Sequence, residues 1–135
     1  MADILLICGS ERDIEILKKG EEILKKNKIS YDIVVSSAHR EPERTRLIAK
    51  SAKKKGYKVI IAAAGLSAAL PGFISSLTDL PVIGVPLAKS TLGGIDSLLS
   101  IVQMPKGVPV LSVGIDGIEN AVYAAIRILG VSHKL

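Results

Sequence analysis

Aromatic residues are nearly absent from this 135-residue chain: it has no tryptophan, Phe73 is its one phenylalanine, and its tyrosines are Tyr31, Tyr57 and Tyr123. Base-stacking readers of nucleic acid need aromatic platforms, so the scarcity argues against a nucleic-acid partner. Cysteine is scarcer still. Cys8 stands alone, which excludes a disulfide framework or a thiolate metal cluster within one chain. At the end of an apolar run it reads as a small buried residue rather than a nucleophile. Long apolar runs are missing too, and no stretch approaches the length that spans a bilayer. Asp3 sits where a secretory leader would carry Lys or Arg, and the run from Ile4 to Cys8 is too short for a leader's apolar core. The chain reads as cytoplasmic, with no membrane partner.

What is present is aliphatic. Hydrophobic residues make up 48% of the chain and charged residues 23%. One domain, residues 1–135, is long enough to bury a real core, and the apolar surplus points to an oligomer. The net charge of +5 comes largely from Lys18-Lys19, Lys25-Lys26-Lys28 and Lys53-Lys54-Lys55, at the ends or outer faces of predicted helices. These read as solvated helix faces, and a basic protein also attracts a phosphate-bearing small molecule.

Five short apolar runs alternate with helical stretches. The predicted strands are Ile4–Cys8, Tyr31–Val35, Val59–Ala63, Val82–Val85 and Val108–Val113, each followed by Gly, Ser or Pro punctuation. Ile14, Leu17, Glu21 and Leu24 mark one face of a first helix. Further helices are expected over Pro42–Lys55, Ala69–Leu77, Ile95–Val102 and Ile118–Leu129. This alternation predicts an α/β fold with right-handed crossovers: a flavodoxin-like three-layer α/β/α sandwich on a five-stranded parallel sheet, order 2-1-3-4-5.

In such sheets ligands bind outside the carboxyl ends of the strands. There the second run delivers Ser36-Ser37-Ala38-His39-Arg40, an imidazole beside a guanidinium. The chain has two histidines, and the other, His133, lies in a terminal segment expected to fray, so His39 is the candidate acid/base. After the first strand, Cys8-Gly9-Ser10 offers a tight turn, a hydroxyl and free N–H groups for an anion, although Ser10 could equally be a helix cap. After the third, Ala64-Gly65-Leu66-Ser67-Ala68-Ala69-Leu70 permits either close backbone approach to a ligand or a closely packed strand–helix junction. The polar segment Lys89 to Asp96 has the character of a mobile substrate loop. Gln103 and Met104 read as packing residues at the end of a buried helix.

Gly9-Ser10-Glu11-Arg12-Asp13, Ser37-Ala38-His39-Arg40, Leu70-Pro71-Gly72 and the long run Asp96 to Pro105 together resemble the class I phosphoribosylaminoimidazole carboxylase family, the 5-(carboxyamino)imidazole ribonucleotide mutases of purine synthesis. The resemblance covers essentially the whole chain. It implies that Ser10 and Asp13 take the ribose-phosphate, Arg40 the phosphate, and that His39 moves the ring-carbon proton. Ser37, Gly65, Ser67, Ala68 and Leu70 complete the implied substrate-binding set. It further implies a carboxylate transfer from exocyclic nitrogen to ring carbon without metal, ATP, biotin or other cofactor, in a homo-octamer, in functional partnership with the ATP-dependent carboxylating enzyme of the pathway.

Two positions depart from the family pattern, and the chain stops at Leu135 without the longer C-terminal helix expected from many members. Arg12 replaces a serine near the phosphate. Ala69 stands where class I members carry a second pocket histidine, so that Ser67-Ala68-Ala69-Leu70 is similar to the class II relatives that carboxylate aminoimidazole ribonucleotide directly with carbon dioxide. Leu66 occupies the place where those relatives usually carry an arginine. Direct carboxylation and a non-catalytic nucleotide-binding subunit therefore remain as alternatives to the mutase.

Overall fold

The computed structural model describes residues 1–131; His133 lies outside them. Five parallel strands form one sheet: β1 (Ile4–Cys8), β2 (Tyr31–Val35), β3 (Val59–Gly65), β4 (Val82–Leu87) and β5 (Leu111–Ser112), in the expected order β2-β1-β3-β4-β5. Every residue of β1 is buried, because β1 is central and covered on both faces, as a parallel sheet requires. It pairs in register with both neighbours, Cys8 lying level with Val35 of β2 and Ala63 of β3. Three chain crossings therefore reach the carboxyl edge side by side.

The helices are α1 (Ile14–Lys18), α2 (Glu21–Lys26), α3 (Pro42–Ser51), α4 (Leu70–Ser75), α5 (Ile95–Val102) and α6 (Ile118–Leu129). Alternate residues of β1 choose the layer. Ile4, Leu6 and Cys8 pack with Leu17 and Leu24 of α1 and α2 and with Ala121, Val122 and Ala125 of α6. Leu5 and Ile7 face the other way, onto Ala49 of α3 and Leu70 and Ile74 of α4. α5 completes that second layer, since a side chain at Gly84 of β4 would strike Ile101 of α5 and Pro71 of α4 together. The three-layer α/β/α sandwich is thus present.

Several boundaries differ from the expectations; α4, for one, spans Leu70–Ser75 rather than Ala69–Leu77. The first helix is split: the N–H groups of Lys19 and Gly20 reach back three residues, to Ile16 and Leu17, closing α1 in a tight turn before α2 begins. Gly20 sits there because a Cβ would come within 2.7 Å of Val122 on α6. α3 ends at Ser51 rather than Lys55, and the turn that follows closes on Gly56, whose φ of 98° suits glycine. β3 and β4 run two residues further than expected, with Ala64 and Gly65 level with Pro86 and Leu87. β5 shrinks to two residues, because Pro109 has no N–H to give a ladder.

Candidate functional site

At the carboxyl edge four loops meet around a cleft of about 170 Å³ walled by Gly9, Ser10, Asp13, Ser37, His39 and Arg40 on one side and Gly65, Leu66, Ser67, Leu70 and Lys89 on the other. The first loop leaves β1. Ser10 has extended backbone and accepts the Arg12 N–H on its hydroxyl at 3.3 Å, capping a 3-10 turn at Glu11–Asp13. The capping and cleft-lining readings of Ser10 therefore hold together. That turn carries Asp13 inward, where its carboxylate is 4% exposed.

The second loop leaves β2. Ala38, His39 and Arg40 form a turn whose feet are fixed: the Ser37 hydroxyl accepts the Arg40 N–H at 3.1 Å, and the Ser37 carbonyl accepts the Glu41 N–H at 3.0 Å. His39 and Arg40 are exposed at its crest. Pro42, in the first turn of α3, stops the loop from extending.

The third loop leaves β3. Leu66 has φ 57°, a left-handed conformation that costs a non-glycine residue about 1–2 kcal/mol, and it presents a half-exposed side chain to the cleft. Ala69 also lines the cleft. Ala68 does not. Its side chain is buried beneath the loop, so of the expected set Ser10, Asp13, Ser37, His39, Arg40, Gly65, Ser67, Ala68 and Leu70, Ala68 is the one the fold turns away.

The fourth loop begins the segment expected as a substrate loop, and supplies a residue that sequence reasoning did not single out within it. Lys89, just beyond β4, lays its side chain over Gly65, where a Cβ would come within 2.6 Å of its Cδ. Its ammonium pairs with the Asp13 carboxylate. Lys89 belongs to no motif, and the signal that could have found it is positional: a cation immediately after a strand at the ligand-binding edge.

The cleft therefore offers an imidazole, two cations, one carboxylate, several hydroxyls and open backbone. That inventory suits a small anionic molecule carrying hydroxyls. Cys8, beneath the cleft, is no nucleophile for it: the thiol is fully buried and desolvation pushes it up to about 11, out of the thiolate range needed for attack.

Residues 3–135 match the AIR carboxylase family. The chain belongs to that family. It is 54% identical to the N5-carboxyaminoimidazole ribonucleotide mutase of Saccharolobus solfataricus, over 99% of this chain and 85% of that protein. It is 52% identical to the mutase of the same name from Pyrococcus horikoshii, over 95% of this chain and 72% of that one. Among solved structures, Treponema denticola PurE superposes with a TM-score of 0.83 at 27% identity, covering 94% of this chain and 79% of the other. The family's fold and the sandwich built here are the same.

Proposed function

We propose that this protein moves the carboxylate of 5-(carboxyamino)imidazole ribonucleotide from the exocyclic nitrogen to the ring carbon, giving 5-amino-1-(5-phosphoribosyl)imidazole-4-carboxylate, a step of purine synthesis carried out in the cytoplasm by one catalytic domain. The observation that carries this reading is the convergence of His39, Arg40, Ser10 and Asp13 on one cleft in a chain so similar to proteins named as mutases. Arg40 takes the phosphate through a charge-assisted hydrogen bond, beside Ser10, while Asp13 accepts ribose hydroxyls. The nitrogen–carboxylate bond breaks to release carbon dioxide, and His39 gives the nitrogen a proton. The electron-rich ring carbon then attacks the trapped carbon dioxide, and the same imidazole takes the proton that this carbon sheds. One proton is given and one is returned, so no cofactor is consumed. Gly65, Ser67 and Leu70 bound the space in which carbon dioxide stays concentrated.

The enclosure calls for more than one chain. A cleft of about 170 Å³ is smaller than the roughly 300–1,000 Å³ of ordinary ligand pockets. Ile95, Leu99 and Val102 form an outward stripe on α5, 57%, 51% and 45% exposed, which suits burial against another subunit. Both features support an assembly with sites closed by neighbours; we read it, with the family resemblance, as a homo-octamer that draws its unstable substrate from the ATP-dependent carboxylating enzyme.

The test compares donors. The carboxyamino ribonucleotide should give product at bicarbonate well below the level that aminoimidazole ribonucleotide requires. If aminoimidazole ribonucleotide turns over as fast at physiological bicarbonate, and the carbamate reacts only after breaking down, direct carboxylation takes the place of this reading. Binding of either without turnover leaves a non-catalytic subunit.

A further inference from the structure

The turn that presents His39 and Arg40 is anchored by two hydroxyls with no access to solvent. Ser36 and Thr45 are both 0% exposed, and their oxygens lie 2.6 Å apart. Proton count fixes the direction of the bond between them. A hydroxyl has one proton to give, and Thr45 gives its own to the Ser37 carbonyl at 2.9 Å; Ser36 is therefore the donor to Thr45. The Ser36 N–H is bound to the Cys8 carbonyl at 2.8 Å, and the Thr45 N–H to the Glu41 carbonyl at 3.0 Å. Arg44 adds a further tie, its guanidinium donating to the Val35 carbonyl. The first turn of α3 thus reaches back to the end of β2, and residues 38–40 are the bridge between them.

We propose that Thr45 is a positioning residue for the reaction: through Ser37 its hydroxyl sets the attitude of the turn that carries the imidazole and the guanidinium, and Ser36 holds that hydroxyl in its donating orientation. The proposal rests on the reading of His39 and Arg40 as acid/base and phosphate ligand. Valine at position 45 keeps the shape and removes the proton, leaving the Ser36 hydroxyl facing a methyl group in a dry site and the Ser37 carbonyl one donor short. Proton transfer and phosphate binding tolerate little displacement of the groups that perform them.

The experiment measures kcat for the carboxyamino ribonucleotide and the calorimetric Kd of a ribonucleoside 5′-monophosphate, well below the melting temperature, in the full chain and its variants. Thr45→Val should lower kcat at least tenfold and raise Kd at least threefold, while Thr45→Ser, which restores the hydroxyl, stays within threefold of the parent on both. Ser75→Ala is the control for mere loss of stability. Ser75 donates to the Pro109 carbonyl at 2.6 Å at the far end of α4, so its variant should melt earlier with kcat unchanged. A folded Thr45→Val with kcat and Kd within twofold of the parent overturns the proposal, as does a Ser75→Ala that loses kcat in parallel. Should Thr45→Val fail to fold, Thr45→Ala against Thr45→Ser makes the same comparison. If the parent turns over neither ribonucleotide, the mutase reading fails by itself, and the Kd series still decides the role of Thr45.

Discussion

The loops after β2 and β4 bring their two cations, Arg40 and Lys89, to the cleft in different ways. The first is stiff: Ser36, Ser37 and Thr45 bind one another, Pro42 begins the helix behind, and Arg40 stands on a turn with both feet tied. The second is also tied, the Ala88 N–H to the Asp116 carboxylate and the Ser97 hydroxyl to the Leu87 carbonyl, but it brings its cation from a distance. Its cation sits on the long stem of Lys89, which lies across Gly65, and the loop continues through Gly93 and Gly94 at φ 66° and 96°. The difference teaches a division of labour. In the proposed reading, chemistry and phosphate recognition fall to the turn tied by Ser36, Ser37 and Thr45, while the opposite wall brings its charge on a long side chain paired with Asp13.

Substitutions test that division, the largest effect first. His39→Asn keeps a polar side chain of similar reach and removes the acid/base, so kcat should fall by about 10² or more with the melting temperature little changed. A variant of near-normal activity would place the chemistry elsewhere. Arg40→Ala should weaken binding of a ribonucleoside monophosphate by about 2 kcal/mol, roughly thirtyfold, and unchanged affinity in calorimetry would show that the stiff loop does not hold the phosphate. Lys89→Met should act on binding alone, raising KM by roughly fivefold, about 1 kcal/mol, with kcat within twofold. A collapse of kcat instead would make the loop after β4 part of the chemistry and break the comparison.

The smallest effect lies beneath both loops. Desolvation raises the Cys8 thiol from 9.0 to about 11, so the unfolded chain releases that proton first as pH rises. The stabilisation is complete below pH 9 and disappears between pH 9 and about 11. The parent's melting temperature should therefore fall more steeply across that window than that of Cys8→Ala, and parallel slopes would show that the thiol is not the group responsible.

The sequence alone made the loop after β2 legible residue by residue, and marked the one after β4 only as a segment, without the pairing that Lys89 makes. Ser37-Ala38-His39-Arg40 follows a β-branched run and precedes a helix-starting proline, so the strand, the turn and the position of the imidazole all follow from local rules. The strand order and both faces of the sheet were equally readable, because β1, β3 and β4 are continuous apolar runs. That pairing was invisible for a physical reason: it comes from a side chain crossing β3 over Gly65 to a carboxylate 76 positions earlier, a contact that no local pattern encodes. The same holds for Thr45, whose proposed role rests on a bond to the Ser37 carbonyl across the turn. Ala68 was misplaced because a small-residue segment shows that a backbone approaches something closely without showing which of its side chains face the cleft. β5 came out shorter than its apolar run suggested because Pro109 interrupts the donors that a ladder needs.

The central claim is that the carboxylate moves within one closed site. It is tested most directly by following carboxyl-labelled carboxyamino ribonucleotide through turnover in excess unlabelled bicarbonate. Retention of the label in the ring carboxylate, at a rate faster than spontaneous breakdown of the carbamate, is the result expected here. Product carrying the isotopic composition of the bicarbonate pool would show that carbon dioxide comes from solution, and would contradict the account.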